Sequence, residues 1–379
     1  MIITDLSKCC GCAACADACP KNCITMTYDR HGFYVPQVDN AQCVNCKKCA
    51  NICPVNHPVE KSAILSVHKG YATDIASEAN QKSTSGAIFG LLAEEIIARG
   101  GVVAGVAFNE DYTNISHVLC ETMEQVDRTR GSKYIQSRTQ GIYRDVRSAL
   151  KTGKTVLFSG TPCQVAGLRS FLKDVPENLI TVDFVCHGVA STKFYQEYLK
   201  SAANGKPISY VGFRDKDGHY LYSTFRVAAD GQTVEENWAE KNFGKAFANN
   251  LVSRTSCGTC AYATAQRAAD ISLADNYMYA DETEAKYGSS LVFVNTPKGS
   301  ALLDAVRPSA VLTDLKKEEV LPRIMHFNHP AAPHKDREKL LDALEKGGYT
   351  AAEKYISDYA QKQSLLQKGK AMAAKLLHR

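Results

Sequence analysis

The sequence predicts a mixed fold, α+β and α/β, in three parts: a small cysteine-rich domain, a mixed α/β body and a helical C-terminal tail. Three observations indicate this division. Ten of the fifteen cysteines lie in the first 58 residues, where one cysteine motif occurs twice. Short apolar strands then alternate with helical patterns. From about Ser300 onward only the helical patterns continue.

The composition indicates a globular protein without a nucleic acid partner or a transmembrane segment. With 379 residues, 45% hydrophobic and 22% charged, the chain can bury a substantial core in two or three domains. A formal charge of +5 without a basic stripe interleaved with aromatic residues argues against nucleic acid binding. The most apolar stretch, residues 86–108, contains Glu94, Glu95 and Arg99, so no transmembrane segment is predicted.

The number of cysteines indicates the cellular compartment in which the protein works. Fifteen cysteines in a chain of this size, without a signal-peptide pattern, indicate metal ligation rather than disulfides. Thiolate ligands persist in a reducing environment. The sequence therefore predicts a cytoplasmic metal-binding protein.

The motif C-x2-C-x2-C-x3-C-P is the most specific signal in the chain. It occurs at Cys9, Cys12, Cys15 and Cys19, and again at Cys43, Cys46, Cys49 and Cys53. Three thiolates of such a loop surround one cubane, while the fourth points to the other. The motif therefore predicts a ferredoxin-like domain with two [4Fe–4S] clusters over residues 1–58. The expected ligand sets are Cys9, Cys12, Cys15 and Cys53, and Cys43, Cys46, Cys49 and Cys19.

Three further features of this domain complete the prediction. Zinc is the alternative occupant, because four thiolates also suit tetrahedral Zn²⁺, although zinc sites typically use paired C-x2-C units. Cys10 and Cys23 fall outside the motif and are interpreted as small buried residues without a role. Residues 28–38 alternate in polarity, which predicts a hairpin around His31 and Gly32.

The body is predicted to follow a linker at residues 57–63 as a mixed α/β sheet. The predicted elements are a helix over residues 85–97, a strand over 102–108, a strand over 155–158, a helix over 165–172 and a strand over 179–185. Tail helices are predicted at residues 336–345, 351–359 and 364–377. The last helix has a basic face that could bind a partner or a lipid surface, or pack on its own domain.

Three motifs of the body resemble one known family. They are S-G-T-P-C-Q-V-A-G-L at residues 159–168, V-C-H-G-V at 185–189 and S-C-G-T-C at 256–260. Over residues 70–295 the chain resembles the beta subunits of coenzyme F420 hydrogenases and dehydrogenases. With its N-terminal ferredoxin it is similar to fused members of that family. The expected division is then residues 1–58, 69–150, 151–300 and 301–379.

The resemblance implies FAD and a third [4Fe–4S] cluster in the body. The ligands that it implies for this cluster are Cys163, Cys186, Cys257 and Cys260. Two of these cysteines each follow a predicted strand, and loops at one edge of a sheet converge on a common site. A zinc site, or unrelated buried thiols, are the alternatives, and Cys120 is interpreted as a core residue.

Two loops that precede predicted helices could bind the flavin pyrophosphate, because free backbone amides at a helix N-terminus attract anions. Their candidate residues are Ser83, Thr84, Ser85 and Gly86 in one loop, and Gly160 and Thr161 in the other. Ordinary helix capping is the alternative interpretation. Members of the family usually carry two glycines where this chain has Gly86 and Ala87.

Further positions follow from the resemblance. A family motif at residues 131–134 implies that Ser132 and Lys133 contact the flavin, where Lys133 would stabilise the reduced anion unless it is an ordinary surface lysine. The family's Trp-Gly is replaced by Asn276 and Tyr277, which alters the expected substrate pocket. His187 could relay a proton or only stabilise a turn.

The sequence therefore predicts an iron–sulfur flavoprotein oxidoreductase. It would pass electrons, in either direction, between a hydride carrier such as coenzyme F420 and ferredoxin or a partner protein. Two alternatives are a relay subunit that holds clusters only, and a flavin-dependent reductase of an organic substrate. No catalytic residue is assigned.

Overall fold

The computed structural model describes residues 5–216, 223–237, 242–278 and 281–377. Side chains are described for these residues except 236–237 and 359–377. The predicted basic face of residues 364–377 lies outside the described side chains. Among the residues with a described structure, no helix is long and apolar enough to cross a membrane.

The N-terminal domain is built from two short helices and one hairpin. Its elements are α1 (Ala14–Asp17), β1 (Ile24–Tyr28), β2 (Tyr34–Val38) and α2 (Lys48–Asn51). The two strands pair antiparallel, with Ile24 opposite Val38. The predicted hairpin around His31 and Gly32 is confirmed.

The two cysteine motifs form separate loops with the same backbone conformation. Left-handed residues occur at equivalent positions of the two repeats, at Gly11 (φ 67°) and Ala13 (φ 63°), and at Asn45 (φ 54°) and Lys47 (φ 59°). Residues other than glycine seldom adopt a positive φ. Two such positions repeated in register show that the motif determines this loop conformation.

The body follows as one large sheet, a smaller sheet and surrounding helices. Its elements are β3 (Ser66–Ala72), α3 (Glu78–Gln81), α4 (Ile88–Ala98), β4 (Val102–Phe108), β5 (Ile115–Cys120), α5 (Met123–Asp127), α6 (Ile142–Lys151), β6 (Val156–Ser159), α7 (Pro162–Leu172), β7 (Leu179–Phe184), α8 (Thr192–Ala202), β8 (Ile208–Asp215), β9 (Thr224–Ala229), β10 (Gln232–Asn237), α9 (Asn242–Ala248), β11 (Ile271–Asp275), α10 (Glu282–Tyr287), β12 (Ser290–Val294), α11 (Pro297–Val306), β13 (Ala310–Leu315), α12 (Lys317–Val320), α13 (Met325–Asn328) and α14 (Arg337–Leu377).

The large sheet has eight strands in the order β13-β3-β12-β11-β7-β6-β4-β5. The central strands β11, β7, β6 and β4 run parallel, while the outer strands pair antiparallel. The predicted mixed α/β sheet is therefore confirmed. Because parallel strands end at one edge, the loops after β4, β6, β7 and β11 meet there.

The C-terminal part is largely helical, with two departures from the predicted pattern. Residues 310–315 form the edge strand β13, whose half-exposed pattern of apolar and polar residues gives little strand signal. Helix α14 covers all three predicted helices and runs on through residues 360–363, where a break was predicted. At Gly347 and Gly348 the backbone angles are not helical, so the double glycine separates two helical segments as predicted.

The smaller sheet, β10-β9-β8, covers an aromatic core with α8, α9 and α14. A fully buried phenylalanine contributes about 1.5–3 kcal/mol by leaving water. Phe33, from the N-terminal hairpin, belongs to this core. The members that dominate it are Phe194, Tyr195, Phe213, Phe225 and Phe243.

Buried hydrogen bonds also fasten the N-terminal domain to the body. The Asp17 carboxylate accepts from the Gly141 amide at 2.6 Å and from the Tyr143 amide at 3.1 Å. These amides begin α6, where a negative charge is favourable. Arg144 donates to the carbonyls of Asp17 and Ala16 at 2.7 and 2.9 Å.

Replacement of Asp17 tests this attachment. We expect Asp17→Ala to lower the free energy of unfolding by about 1–3 kcal/mol, because two buried amides lose their acceptor. The measurement is the Tm of the anaerobic protein by circular dichroism. Asp174→Ala, which removes an exposed carboxylate of the body, is the control and should leave the Tm unchanged. Equal Tm values for both variants would contradict this role for Asp17.

Candidate functional site

The first cysteine set consists of Cys9, Cys12, Cys15 and Cys53. Burial raises the pKa of the Cys15 thiol, and the nearby thiols of Cys9, Cys53 and Cys49 raise it further. Cys15 in turn raises the pKa of the Cys12 thiol. The fold therefore groups the cysteines of the two motifs, including Cys53 from the second.

The second cysteine set consists of Cys43, Cys46, Cys49 and Cys19. All four line one cavity of about 710 Å³. Cys23 lines it too, with its sulfur 3.4 Å from that of Cys19. Cys46 is exposed, so this cavity opens at the protein surface.

The third cysteine set consists of Cys163, Cys186, Cys257 and Cys260. Cys163 lies in the first turn of α7, Cys186 follows β7, and the other two lie in and directly after a short 3₁₀ turn. Burial raises the pKa of the Cys186 thiol well above its usual value, and the thiols of Cys257, Cys163 and Cys260 raise it further. The fold thus gathers four cysteines that are far apart in the sequence.

The sulfur spacing distinguishes a zinc site from a larger metal centre. A tetrahedral zinc ion bound at about 2.3 Å requires sulfurs about 3.8 Å apart. Among the residues that the structure describes, no three cysteine sulfurs lie within 4.8 Å of one another. The three sets therefore fit a wider, multi-iron centre better than a single ion.

A buried ion pair holds the loops of the third set. Arg267 and Asp183 are 2% and 0% exposed, and Nη2 lies 2.9 Å from Oδ1. Arg267 also donates to the carbonyls of Tyr262 and Phe184. It thereby ties the chain after the last cysteine pair to β7, which leads into the third set.

The first and third sets meet at α7. A hydrogen bond with Cys10 is the largest cause of the raised pKa of the Cys163 thiol. Cys12 packs one turn further along, since a Cβ added to Gly167 would lie 3.0 Å from the Cys12 sulfur. Cys10, to which the sequence assigned no role, therefore lies between two ligand sets, and its position outside the motif gave no signal of this.

Two buried polar side chains close the same junction. Gln136 donates to the Cys10 carbonyl at 2.9 Å. Arg254 donates from Nε to the Cys9 carbonyl at 2.8 Å, and from Nη1 to Gln136 at 2.7 Å. Sequence reasoning missed both residues because they are 118 positions apart and belong to no spaced motif.

A second cavity, of about 260 Å³, lies where β4 ends. It is lined by three predicted flavin contacts together with basic and aromatic side chains, namely Thr84, Ser132, Lys133, Phe108, Arg130 and Arg214. The Ser132 amide donates to Thr84 at 2.7 Å, and Arg130 donates to Ser83 at 3.3 Å. Two loops selected from the sequence are therefore joined here.

Lys133 is a half-buried lysine of this cavity. Its Nζ donates to the carbonyls of Thr129, Arg130 and Gly131 at 2.9–3.1 Å. No carboxylate of the described residues forms an ion pair with it. Burial lowers its pKa to about 7. An anion bound in the cavity would supply the missing countercharge.

Five other predicted flavin contacts do not line this cavity, and one of them, Ser83, accepts a hydrogen bond from Arg130 beside it. Thr161 lies at the third cysteine set, with Oγ1 3.2 Å from the Cys163 sulfur, and Gly160 precedes it. Ser85 donates to the Ser289 carbonyl at 2.6 Å. A Cβ on Gly86 would lie 2.2 Å from the Gly70 carbonyl, so close backbone packing accounts for this glycine.

The two positions that depart from the family pattern point in different directions. Asn276 is buried and donates to Ser289 at 2.7 Å, whereas the Tyr277 ring is exposed and its hydroxyl donates to Asp275 at 3.1 Å. His187 lies between Asn250 and His326, with ring nitrogens at 2.8 and 3.0 Å from them.

Comparison with known proteins agrees with this arrangement. Residues 8–57 match the model of a 4Fe–4S dicluster domain. Residues 153–319 match the model for the C terminus of the coenzyme F420 hydrogenase/dehydrogenase beta subunit. No curated protein matches the sequence significantly.

A chain in a structure of the F420-reducing [NiFe] hydrogenase complex from Methanosarcina barkeri is 21% identical, with a TM-score of 0.47. The match covers 79% of this chain and 94% of that one. The predicted resemblance is confirmed by the family matches. Residues 8–57 thus match an iron–sulfur dicluster domain, and residues 153–319 are similar to the C terminus of the beta subunit of coenzyme F420 hydrogenases and dehydrogenases, a family of oxidoreductases.

Proposed function

We propose that the chain is an iron–sulfur flavoprotein that passes electrons between a hydride carrier and a partner protein. The carrier is coenzyme F420 or a similar deazaflavin, and the partner is ferredoxin or another one-electron protein. The observation that carries the proposal is the meeting of the first and third cysteine sets at α7. It joins the dicluster domain to the body through ligand-bearing loops.

The three cysteine sets follow one another in space from the body to the protein surface. The third set shares α7 with the first set, and the second set opens to the surface at Cys46. When bound, clusters exchange single electrons and a flavin exchanges electrons singly or as hydride. The order body, first set, second set, surface therefore suits transfer between a hydride carrier and a protein.

The cavity at Lys133 is the proposed flavin contact. Thr84 and Ser132 supply polar groups, Lys133 supplies a half-buried amine, and the Phe108 ring lies 5.4 Å from its Nζ. This set of residues fits an anionic part of FAD. Lys133 would bind that part and favour its negatively charged form.

The size of this cavity favours the alternative function, a relay subunit that holds clusters but no flavin. Its 260 Å³ is below the about 300–1,000 Å³ of most ligand pockets. A relay subunit that holds clusters but no flavin would need no larger space. The flavin content of the purified protein decides between the two functions.

The surface around the second set is the proposed docking site for an acidic redox partner. Leu6 and Val44 line the cavity and are 54% and 58% exposed. Lys21 and Lys47 line it as well. Exposed apolar side chains beside these lysines suit a partner of negative charge.

Metal and flavin counts test the proposal. We expect about twelve irons per chain after anaerobic purification, four for each of three clusters, and one flavin. Cys257→Ser should remove about four irons, whereas Cys120→Ser, at a buried cysteine of the core, should remove none. A wild-type content near eight irons would contradict the third cluster. Full iron without flavin would favour the relay subunit.

The pH dependence of stability tests Lys133. Burial lowers its pKa to about 7, whereas the unfolded chain keeps it near 10.4. Between these values only the unfolded chain holds the proton, so this residue makes stability rise with pH. In flavin-free protein, the stability of wild type relative to Lys133→Met should rise by a few kcal/mol from pH 7 to 10.

Urea unfolding at several pH values measures this difference. Lys82→Met, at an exposed lysine of the same cavity, is the control. A flat difference for Lys133→Met across this range would show that the amine is not buried as described.

Charge reversal tests the docking surface. We expect Lys47→Glu to lower the rate of electron transfer to an acidic ferredoxin several-fold at low salt, because steering by charge is lost. Stopped-flow absorbance measures the rate, with iron content checked first. The difference should vanish at 1 M salt, where charges are screened beyond about 3 Å. Lys151→Glu, on the body, is the control, and an equal effect there would contradict this surface.

A further inference from the structure

Arg254 is a buried cation at the junction of the first and third cysteine sets. It is only 4% exposed. Its guanidinium donates to the Cys9 carbonyl, to Gln136 and, at 3.2 Å, to the Ser256 hydroxyl. All three acceptors are neutral. Among the described residues no carboxylate lies within 4.0 Å of it.

The backbone of Arg254 belongs to the third set as well. Its amide donates to the Val189 carbonyl, and its carbonyl accepts from the Cys257 amide at 3.1 Å. Its guanidinium contacts the carbonyl of Cys9, which belongs to the first set. The guanidinium thus lies close enough to both ligand sets to act on them electrostatically.

The surroundings of Arg254 do not offset its charge. The Phe33 ring lies 5.9 Å from its guanidinium and 5.0 Å from that of Arg337. Arg337 has Glu338 as its own ion-pair partner. Since a buried charge is costly unless it is paired, Arg254 requires a negative group at this junction. The cysteine thiolates of the first and third sets are the negative groups available there.

We propose that Arg254 is the shared counter-ion of the clusters bound by the first and third cysteine sets. A cluster with four thiolate ligands is negatively charged and gains a further negative charge on reduction. A fixed positive charge beside it favours the reduced form, because net charge is one determinant of the reduction potential. Arg254 would therefore raise both potentials together. This inference rests on the proposed function, since it requires the third cluster.

A purely structural role makes a different prediction. If Arg254 only clamped the N-terminal domain through hydrogen bonds, Lys and Met replacements would both disturb the junction, without an ordered change in potential. If its charge matters, Arg254→Lys keeps most of the effect and Arg254→Met, of similar length but neutral, removes it. The two variants together separate charge from packing.

The experiment is a redox titration of the anaerobic full-length protein followed by electron paramagnetic resonance. For Arg254→Met we expect the one-electron equilibria of two clusters to shift at least tenfold toward the oxidised form, about 59 mV. Arg254→Lys should shift them less than threefold. Arg144→Met, which also removes an arginine bonded to N-terminal carbonyls, is the control and should shift neither. The remaining cluster should be unchanged in all three variants.

The outcomes separate this inference from the proposed function. A wild-type iron content near eight contradicts the third cluster and with it the proposed function. About twelve irons with potentials that Arg254→Met leaves unchanged contradict the role of Arg254 alone. If Arg254→Met loses iron, its potentials cannot be compared with those of wild type, and Arg254→Lys becomes the test. This variant keeps the positive charge, so a shift of the one-electron equilibria above tenfold would overturn the inference.

Discussion

The structure depends on how the first cysteine loop is seated against α7. That helix carries Cys163 in its first turn, and its next turn needs Gly167 because the Cys12 sulfur packs there. A larger residue at this position would push the two ligand loops apart. Tyr143 strengthens the same contact from α6, since its hydroxyl donates to the Gln164 carbonyl. One helix therefore carries a cysteine of the body and supports the loop of the dicluster domain.

Burying charged groups at this junction is costly unless each has a partner, and two of the three buried charges there have one within the chain. Asp17 accepts from the amides that begin α6. The ion pair of Arg267 and Asp183 holds the loops of the third set. Arg254 is the exception, because its guanidinium bonds only to neutral acceptors among the described residues. On our proposal, the clusters bound by the cysteines would supply the charge that balances it.

The amine of Lys133, like the guanidinium of Arg254, has no carboxylate partner among the described residues. A lysine surrounded by carbonyls in a buried site loses much of its preference for the charged form. An anion bound beside it would restore that preference. Under the proposed function, the cavity and the cysteine junction would each present a cation to a negatively charged cofactor, and the order of the sites would lead from the body to the exposed second set.

The sequence by itself determined what short-range spacing encodes. The repeated cysteine motif specified the two equivalent loops, and apolar runs specified strands such as β4, because both signals lie within about ten residues. The tertiary structure alone decided which cysteine set faces the body, that Cys10 adjoins Cys163, and that Gln136 and Arg254 meet. These contacts join positions more than a hundred residues apart, and no periodicity in the chain records them. They arise only when the parallel strands bring their loops to one edge of the sheet.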